Sequence, residues 1–227
     1  METLNTQDLL TPGPFVILDT ETASLSGGVV ELAYLVIDAE LNVLDEKLFR
    51  LNPGRPIEPG AQAIHGISYE EVADCPTLAD IAPTVPMGMQ MISHNAPFDA
   101  RMVQGELIIT RTLCTLDLAR TYVKGTTNCK LETLQRELNL PVQKSHSALG
   151  DVHTVRDLLA HILPLTGVDL NTLFDRQEKP RILSKMPIGM HKGKPMLQVP
   201  KSYRDWMLEQ PDLERNLKLT LEKLRNL

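Results

Sequence analysis

The segment 15–22 (FVILDTET) places four apolar residues directly before two carboxylates, Asp19 and Glu21. A short apolar run that follows the breaker Pro-Gly-Pro predicts a buried strand. Alternate residues of a strand face the same side, about 6.6 Å apart along its axis, so both carboxylates would lie on one face of an otherwise apolar sheet. Two charges beside a core are unfavourable unless they are protonated, paired or bound to a metal such as magnesium.

Two further polar clusters occur later in the chain. The segment 93–99 (SHNAPFD) follows an apolar stretch, and Asp99 is expected to open a helix. The segment 145–152 (SHSALGDV) places His146 on a loop and Asp151 at the start of an amphipathic helix. Each cluster alone has a structural explanation: a chance pair of acids on a solvated strand end, a helix cap at Asp99, and a surface histidine.

The order of the three clusters along the chain is more specific than any one of them alone. Strand Asp-x-Glu, then His-Asn-x-x-Phe-Asp, then His-x4-Asp resembles the three motifs of the DEDD exonuclease superfamily in its DEDDh (DnaQ-like) branch. The other branch carries Tyr four residues before the final Asp, where this chain has Ser147. The resemblance implies a 3′–5′ exonuclease that hydrolyses phosphodiester bonds and releases 5′-mononucleotides, and its motifs do not separate DNA from RNA as the substrate. It implies five catalytic residues: Asp19, Glu21, Asp99, His146 and Asp151.

The resemblance also implies a cofactor and roles. Two Mg²⁺ ions, which Mn²⁺ can replace, would lie about 3.5–4 Å apart and clamp the attacking and leaving oxygens. Asp19 would bind both ions, Glu21 and Asp151 the ion that carries the water, and Asp99 would act directly or through water. His146 would be the general base, since an ordinary imidazole titrates near 6.5.

Contacts to the nucleic-acid substrate are expected from residues around these motifs. They are Thr20, Thr22, Leu25, Ser26, His65, Asn95 and Phe98. Two of them have open alternatives. Leu25 could be a small hydrophobic lid on the core instead of packing on a terminal base, and His65 could be a structural loop histidine.

Composition restricts the class of protein. The 227 residues are 42% apolar, which is ordinary for a folded domain, and no apolar run reaches the length of a membrane span. The N-terminal residues lack the features of a signal peptide, so we expect a cytoplasmic protein without a membrane partner. Three widely spaced cysteines favour reduced, mostly buried thiols over a disulfide framework or a zinc site.

Charge is distributed unevenly. Residues 181–227 hold 10 Lys/Arg against 5 Asp/Glu, a net charge of +5, and the rest of the chain has 13 against 24, a net charge of −11. A basic segment beside an acidic catalytic body could attract the phosphate backbone that the body repels. The alternative is that it simply pairs with the acidic domain.

The pattern of elements predicts an α/β fold: a ribonuclease H-like mixed five-stranded sheet flanked by helices, with a small C-terminal hairpin-and-helix module. We expect a catalytic domain over 1–163, a connector with one short helix over 164–180, and a small basic module over 181–227. Strands are expected at 15–19, 29–38, 43–51, 90–93 and 113–117, with Pro-rich loops over 53–60. Helices are expected at 69–73, 78–82, 99–106, 118–122, 131–138, 151–163, 169–175 and 199–208.

The C-terminal module carries a hairpin over 186–196 and the only tryptophan, Trp206. This pattern behind a DEDDh domain resembles the bacterial exodeoxyribonuclease X group. We expect Trp206 and Tyr203 to build the core of the module, with stacking on bases as the alternative. Other functional readings are an RNase T-like exoribonuclease, a polymerase-associated proofreading subunit, and a binding protein with an inactive site. The partners implied are DNA 3′ ends, single-stranded or duplex, and a second copy of the chain.

Overall fold

The computed structural model describes residues 13–143, 146–179, 182–210, 213 and 215–225. The strands are β1 (Phe15–Ser24), β2 (Gly27–Ile37), β3 (Val43–Arg50), β4 (Met89–Ser93) and β5 (Ile109–Cys114). The α-helices are α1 (Pro59–His65), α2 (Tyr69–Val72), α3 (Leu78–Ile81), α4 (Ala96–Met102), α5 (Thr115–Tyr122), α6 (Leu131–Glu137), α7 (Ala148–Thr166), α8 (Leu170–Glu178), α9 (Lys201–Leu208) and α10 (Arg215–Arg225). Short 3-10 turns lie at Ala82–Thr84 and Met196–Gln198.

The strands form one mixed sheet in the order β3-β2-β1-β4-β5. β1, β2 and β3 make an antiparallel meander, and β4 and β5 run parallel to β1. The predicted fold class is therefore confirmed. β1 does not end at Asp19 but continues to Ser24, because it keeps pairing with β2 as far as Gly27. β5 ends at Cys114 instead of running to Asp117, because α5 begins at Thr115.

Strand alternation assigns the two faces of the sheet to two cores. Ile17 on β1 packs with Val155 and Leu159 of α7 in one core. Its neighbours Val16 and Leu18 pack in the other core. The odd-numbered residues of β1 thus face α7, and this alternation places the two carboxylates on the α7 side of the strand.

α1 was not expected, and the prediction of a loop up to residue 60 was wrong. Pro59 suits a first helical turn because its fixed φ is helical and its missing N–H needs no partner there. Gly66 ends the helix with φ +76°, and its N–H donates to the carbonyl of Gln62 at 2.8 Å. A proline and a glycine at these two ends are typical helix signals.

α4 begins three residues earlier than predicted and ends at Met102, not at residue 106. Asn95 precedes it with a left-handed φ of +79°, and Pro97 lies in the first turn. Asp99 is the fourth helical residue, so it does not open the helix as expected. The chain leaves the helix before Gly105, which has φ +93°.

The chain divides after Arg176 into two compact units, not after residue 163. α7 continues through Pro164 to Thr166, and α8 follows at the position of the helix expected in the connector. Phe174 on α8 is fully buried in the first core, and this burial places residues 164–176 in the first unit. Within the described residues, no helix combines the length and the apolar character needed to cross a membrane.

The second unit has its own small core, formed by Met186, Met196, Val199, Met207, Leu217 and Leu221. The expected hairpin is a tight loop, in which the N–H of Gly193 donates to the carbonyl of Met186 at 2.7 Å. α9 and α10 occupy the predicted helical segments, of which residues 211, 212, 214, 226 and 227 lie outside the described part. Trp206 is 50% exposed, so the expectation that it builds this core was wrong, whereas Tyr203 is partly buried and packs against the core.

Candidate active site

Asp19 and Glu21 lie on β1 where this strand extends beyond its parallel neighbour. β4 pairs with β1 only as far as Ile17, so both acids lie past the end of the parallel pair. Ligands of open α/β sheets bind outside the carboxyl ends of parallel strands. The alternation of the strand thus presents two carboxylates to a place where a ligand can approach.

Asp151 reaches the same place from α7. It is the fourth residue of the helix, and its N–H donates to the carbonyl of Ser147 at 2.9 Å. One carboxylate oxygen from each of Asp19, Glu21 and Asp151 lies within 4.8 Å of the other two. The three acids named in the first and third sequence motifs are therefore neighbours in space.

Asp99 lies next to this cluster and is almost fully buried, at 3% exposure. Its Oδ1 accepts two hydrogen bonds from Thr20, one from the backbone N–H at 3.1 Å and one from Oγ1 at 2.8 Å. Its Oδ2 accepts a hydrogen bond from Ser93 Oγ. Asp99 is outside the group of three mutually close oxygens, and its own oxygens are held by β1 and β4.

The carboxylates destabilise each other's charged forms. Burial, followed by the charges of Asp99, Asp151, Glu21 and Glu31, raises the pKa of Asp19 well above its usual range. Burial and the neighbouring charges, Asp151 first, raise the pKa of Glu21 to about 8. Burial raises the pKa of Asp99 to about 6, against the hydrogen bonds that lower it. A cation would relieve this repulsion, and a set of carboxylate oxygens fits a hard divalent ion.

His146 precedes α7 on an irregular segment and lies outside the carboxylate cluster. Its backbone is left-handed, with φ +55°, and its side chain is 50% exposed, with Nε2 3.7 Å from Glu132 Oε2. Burial raises the pKa of Asp151 to about 6, and His146 acts in the opposite direction. The imidazole lines a cleft of about 600 Å³ together with His94 and Asp151.

Glu31 on β2 was missed by the sequence analysis. It is 2% exposed and lies directly opposite Glu21 in the sheet. Arg50 on β3 pairs with it at 2.7 Å, and the N–H of Ala148 donates to its Oε1 at 2.8 Å. A charged residue inside the apolar run 29–37 was the available signal, but its partners depend on the register of three strands.

Most of the expected substrate contacts line a single pocket of about 400 Å³ beside Glu21: Thr20, Thr22, Leu25, His65 and Phe98. Ser26 and Asn95 are not in its lining. The Ser26 hydroxyl shares a hydrogen bond with that of Ser24 at 2.9 Å, and Asn95 is exposed ahead of α4. The role of all seven residues in substrate binding stays a prediction.

The structure bears on the two open alternatives in this pocket. Leu25 lies in the turn between β1 and β2 and is 80% exposed, which rules out a lid on the core. His65 ends α1 instead of lying in a loop, and its Nδ1 accepts a hydrogen bond from the N–H of Ile67 at 3.0 Å. Burial lowers the pKa of this histidine. His65 thus has a structural contact and also faces the pocket.

Comparisons with known proteins agree with this geometry. The profile of the RNase_T family, described as exonuclease, matches residues 16–159. Exodeoxyribonuclease 10 of Escherichia coli (strain K12) is 32% identical over 218 residues, which cover 91% of this chain and 96% of that protein. DNA polymerase III subunit epsilon of Pasteurella multocida (strain Pm70) is 29% identical over 186 residues, 72% of either chain.

A solved structure with the same fold is that of exonuclease X in complex with 5′ overhanging duplex DNA. Its TM-score is 0.64 at 32% sequence identity, and the match covers 71% of this chain and 98% of that one. Both the family profile and the relative from Escherichia coli extend over the strands and helices that carry the acidic cluster. The chain is therefore a phosphodiester hydrolase that belongs to the RNase_T family of exonucleases.

Proposed function

We propose that this chain is a metal-dependent 3′–5′ exonuclease that hydrolyses DNA and releases 5′-mononucleotides. The observation that carries the proposal is the convergence of Asp19, Glu21 and Asp151 within 4.8 Å at the end of the parallel strands. The similarity to Exodeoxyribonuclease 10 over most of both chains supports DNA as the substrate.

The proposed cofactor is Mg²⁺, with Mn²⁺ as a substitute. Asp19, Glu21 and Asp151 would hold the ions, with Asp99 beside them, because carboxylate oxygens are the ligands that magnesium prefers in proteins. When bound, two such ions would stabilise the charge on the attacking and leaving oxygens. Asp99 would act on the ions directly, through the lone pair that Oδ2 keeps beside its hydrogen bond from Ser93, or through a bound water.

His146 is the proposed general base. Its side chain is half-exposed and faces the cleft that also contains Asp151, so it can accept a proton from a water bound there. The carboxylate of Glu132 lies 3.7 Å from Nε2 and borders the ring on this side of the cleft. Exposure of the ring and its position before α7 would allow it to move towards the carboxylates when substrate binds.

The pocket of about 400 Å³ is the proposed site of the 3′-terminal nucleotide. It adjoins the carboxylates through Glu21, and Leu25 offers an exposed apolar surface on which a base could pack. Arg101, on the same side, donates from Nη2 to the carbonyl of Leu25 at 3.2 Å and holds this turn in place. The pocket therefore combines an apolar contact for a base with acids for the scissile phosphate.

The first experiment compares DNA and RNA oligonucleotides of one sequence, labelled at the 5′ end, with Mg²⁺ and with a chelator. A magnesium-dependent ladder that shortens from the 3′ end of DNA is the expected result, and Asp19→Asn is the inactive control. A ladder on RNA alone would favour an RNase T-like enzyme. No ladder on either would contradict the proposal and direct attention to a polymerase partner, as the likeness to subunit epsilon suggests.

We also propose that the protein is a homodimer, and the mass of the protein in solution tests this.

A further inference from the structure

Three aromatic rings form a row on the surface of the C-terminal unit. The rings of His191 and Tyr203 meet edge to face with centroids 4.6 Å apart. The rings of Tyr203 and Trp206 follow at 5.4 Å with an interplanar angle of 40°. Tyr203 and Trp206 are three residues apart on α9 and so lie on one side of the helix. The row ends at Trp206, whose ring is half-exposed although the unit has a complete core without it.

The structure holds this row in a defined position. The N–H of Met190 donates to the hydroxyl of Tyr203 at 3.2 Å, which ties the tight loop over 186–196 to α9. Gly189, with φ +73°, allows this approach, because a Cβ there would lie 2.2 Å from the same hydroxyl oxygen. The half-exposed indole is thus held at the surface on a fixed support, where a ligand can reach it.

Cations lie beside the row. Lys192 and Lys194 are exposed on the tight loop that carries His191, and among the residues described by the structure neither ammonium has a carboxylate within 4 Å. On α9, the carboxylate of Asp205 is paired with Lys201 at 2.7 Å. With a net charge of +5 over residues 181–227, this surface is complementary to a polyanion.

We propose that the C-terminal unit binds single-stranded nucleic acid, with bases stacked on Trp206 and phosphates held by Lys192 and Lys194. Aromatic rings beside a basic surface form the usual platform for single strands, because every base has a face that can stack. A protein partner explains this surface less well, since two lysines without a carboxylate partner among the described residues favour an anion. This second contact lies outside the carboxylate site and is independent of whether the chain hydrolyses the strand.

Trp206 is the only tryptophan of the chain, so its fluorescence reports on this surface alone. The full-length protein is titrated, in a chelator, with oligothymidylate of about 16 nucleotides, the upper end of the site size for single-strand binding folds. Anisotropy of a labelled copy measures binding in parallel. We expect the fluorescence to be quenched in proportion to binding. Saturated anisotropy with unchanged fluorescence would overturn the proposal.

Substitutions give a second, independent readout. Trp206→Ala should weaken binding about 5- to 150-fold, the range for loss of one stacked base, and Trp206→Phe should retain most of the affinity. Leu197→Ala, which truncates another exposed apolar side chain (75% exposed), is the matched control and should bind normally. Equal affinities for Trp206→Ala and Leu197→Ala would contradict the proposal, with thermal unfolding curves confirming that both variants fold.

The charges are tested by salt dependence. Replacing Lys192 and Lys194 with Gln should lower the slope of log affinity against log salt by about 1 for each phosphate that the variant no longer neutralises. An unchanged slope would contradict the assignment of phosphates to these two lysines. Hydrolysis without quenching of the Trp206 fluorescence would reject this inference and leave the proposed function intact. Quenching without hydrolysis would support this inference and reject the proposed function.

Discussion

Glu31 on β2 and Ala148 at the start of α7 are joined by a hydrogen bond of 2.8 Å across 117 residues of sequence. The bond satisfies a backbone N–H that has no partner within its own helix, and a carboxylate at this end also favours the helix dipole. Ala148 lies between His146 and Asp151 in the sequence. The hydrogen bond thus ties the segment that carries two site residues to the strand opposite Glu21.

Removal of this hydrogen bond should therefore affect turnover as well as stability. Glu31→Ala leaves a buried N–H unsatisfied and Arg50 unpaired, and should lower the free energy of unfolding by about 1–3 kcal/mol. Turnover should fall by up to about 10²-fold, since small displacements of catalytic groups have effects of this size. Glu31→Gln keeps an acceptor for Ala148 and should lie between the wild type and Glu31→Ala. Denaturant unfolding and initial rates measure both effects.

The chain offers a matched control for this prediction. Glu46 on β3 also contacts α7, through His153 at 2.8 Å, but away from the carboxylates. Glu46→Gln should leave turnover close to the wild-type value. Equal reductions of activity in the Glu46 and Glu31 variants would mean that any weakened interaction with α7 reduces activity, and would contradict the positioning role of Glu31.

Asp19→Asn should separate activity from stability. Asp19 is buried, and its pKa is raised by burial and by three neighbouring acids of the site. Removing its charge relieves repulsion, so the metal-free variant should melt at a higher temperature than the wild type. Loss of several kcal/mol of charge stabilisation should reduce hydrolysis by about 10³-fold or more. Calorimetry in a chelator tests the higher melting temperature, and a nuclease assay tests the loss of hydrolysis. A variant with full activity would refute the assignment of Asp19 as a metal ligand.

Local patterns account for the parts of the site that were predicted. The alternation of a strand places Asp19 and Glu21 on one face wherever the strand lies, and the first turn of α7 fixes Asp151 in the same way. These inferences need only the geometry of one element. The ribonuclease H-like sheet followed from the order of such elements along the chain.

Contacts between distant elements account for the parts that were not predicted. The partners of Glu31 depend on the pairing of β2 with β3 and on where α7 begins, neither of which is visible in a single segment. α1 was missed because its Pro-Gly start resembles a loop. Trp206 was placed in the core because a lone tryptophan in a small unit is usually buried, but methionine, valine and leucine side chains form that core.

Stability without metal should fall as the pH rises. Glu21 has a pKa of about 8 in the folded protein, against about 4.3 in an unfolded chain. The folded state therefore binds more protons between these values, and its stabilisation is complete below about pH 4 and is lost as the pH rises through about 8. Melting curves in a chelator for the wild type and Glu21→Gln measure this loss of stability. The melting temperature of the variant should exceed that of the wild type most near pH 8. Added Mg²⁺ should raise the melting temperature of the wild type most at the same high pH. A rise in melting temperature that is independent of pH would contradict the raised pKa of Glu21.

His146→Gln tests the base separately from metal binding. The histidine lies outside the cluster of Asp19, Glu21 and Asp151, so the variant should keep its stabilisation by Mg²⁺ in thermal unfolding. Its turnover should fall by about 10²–10⁴-fold, the usual contribution of a general base. A variant that loses activity and magnesium-dependent stabilisation together would instead show that His146 maintains the carboxylate site, because an imidazole that only moves a proton leaves the metal ligands in place.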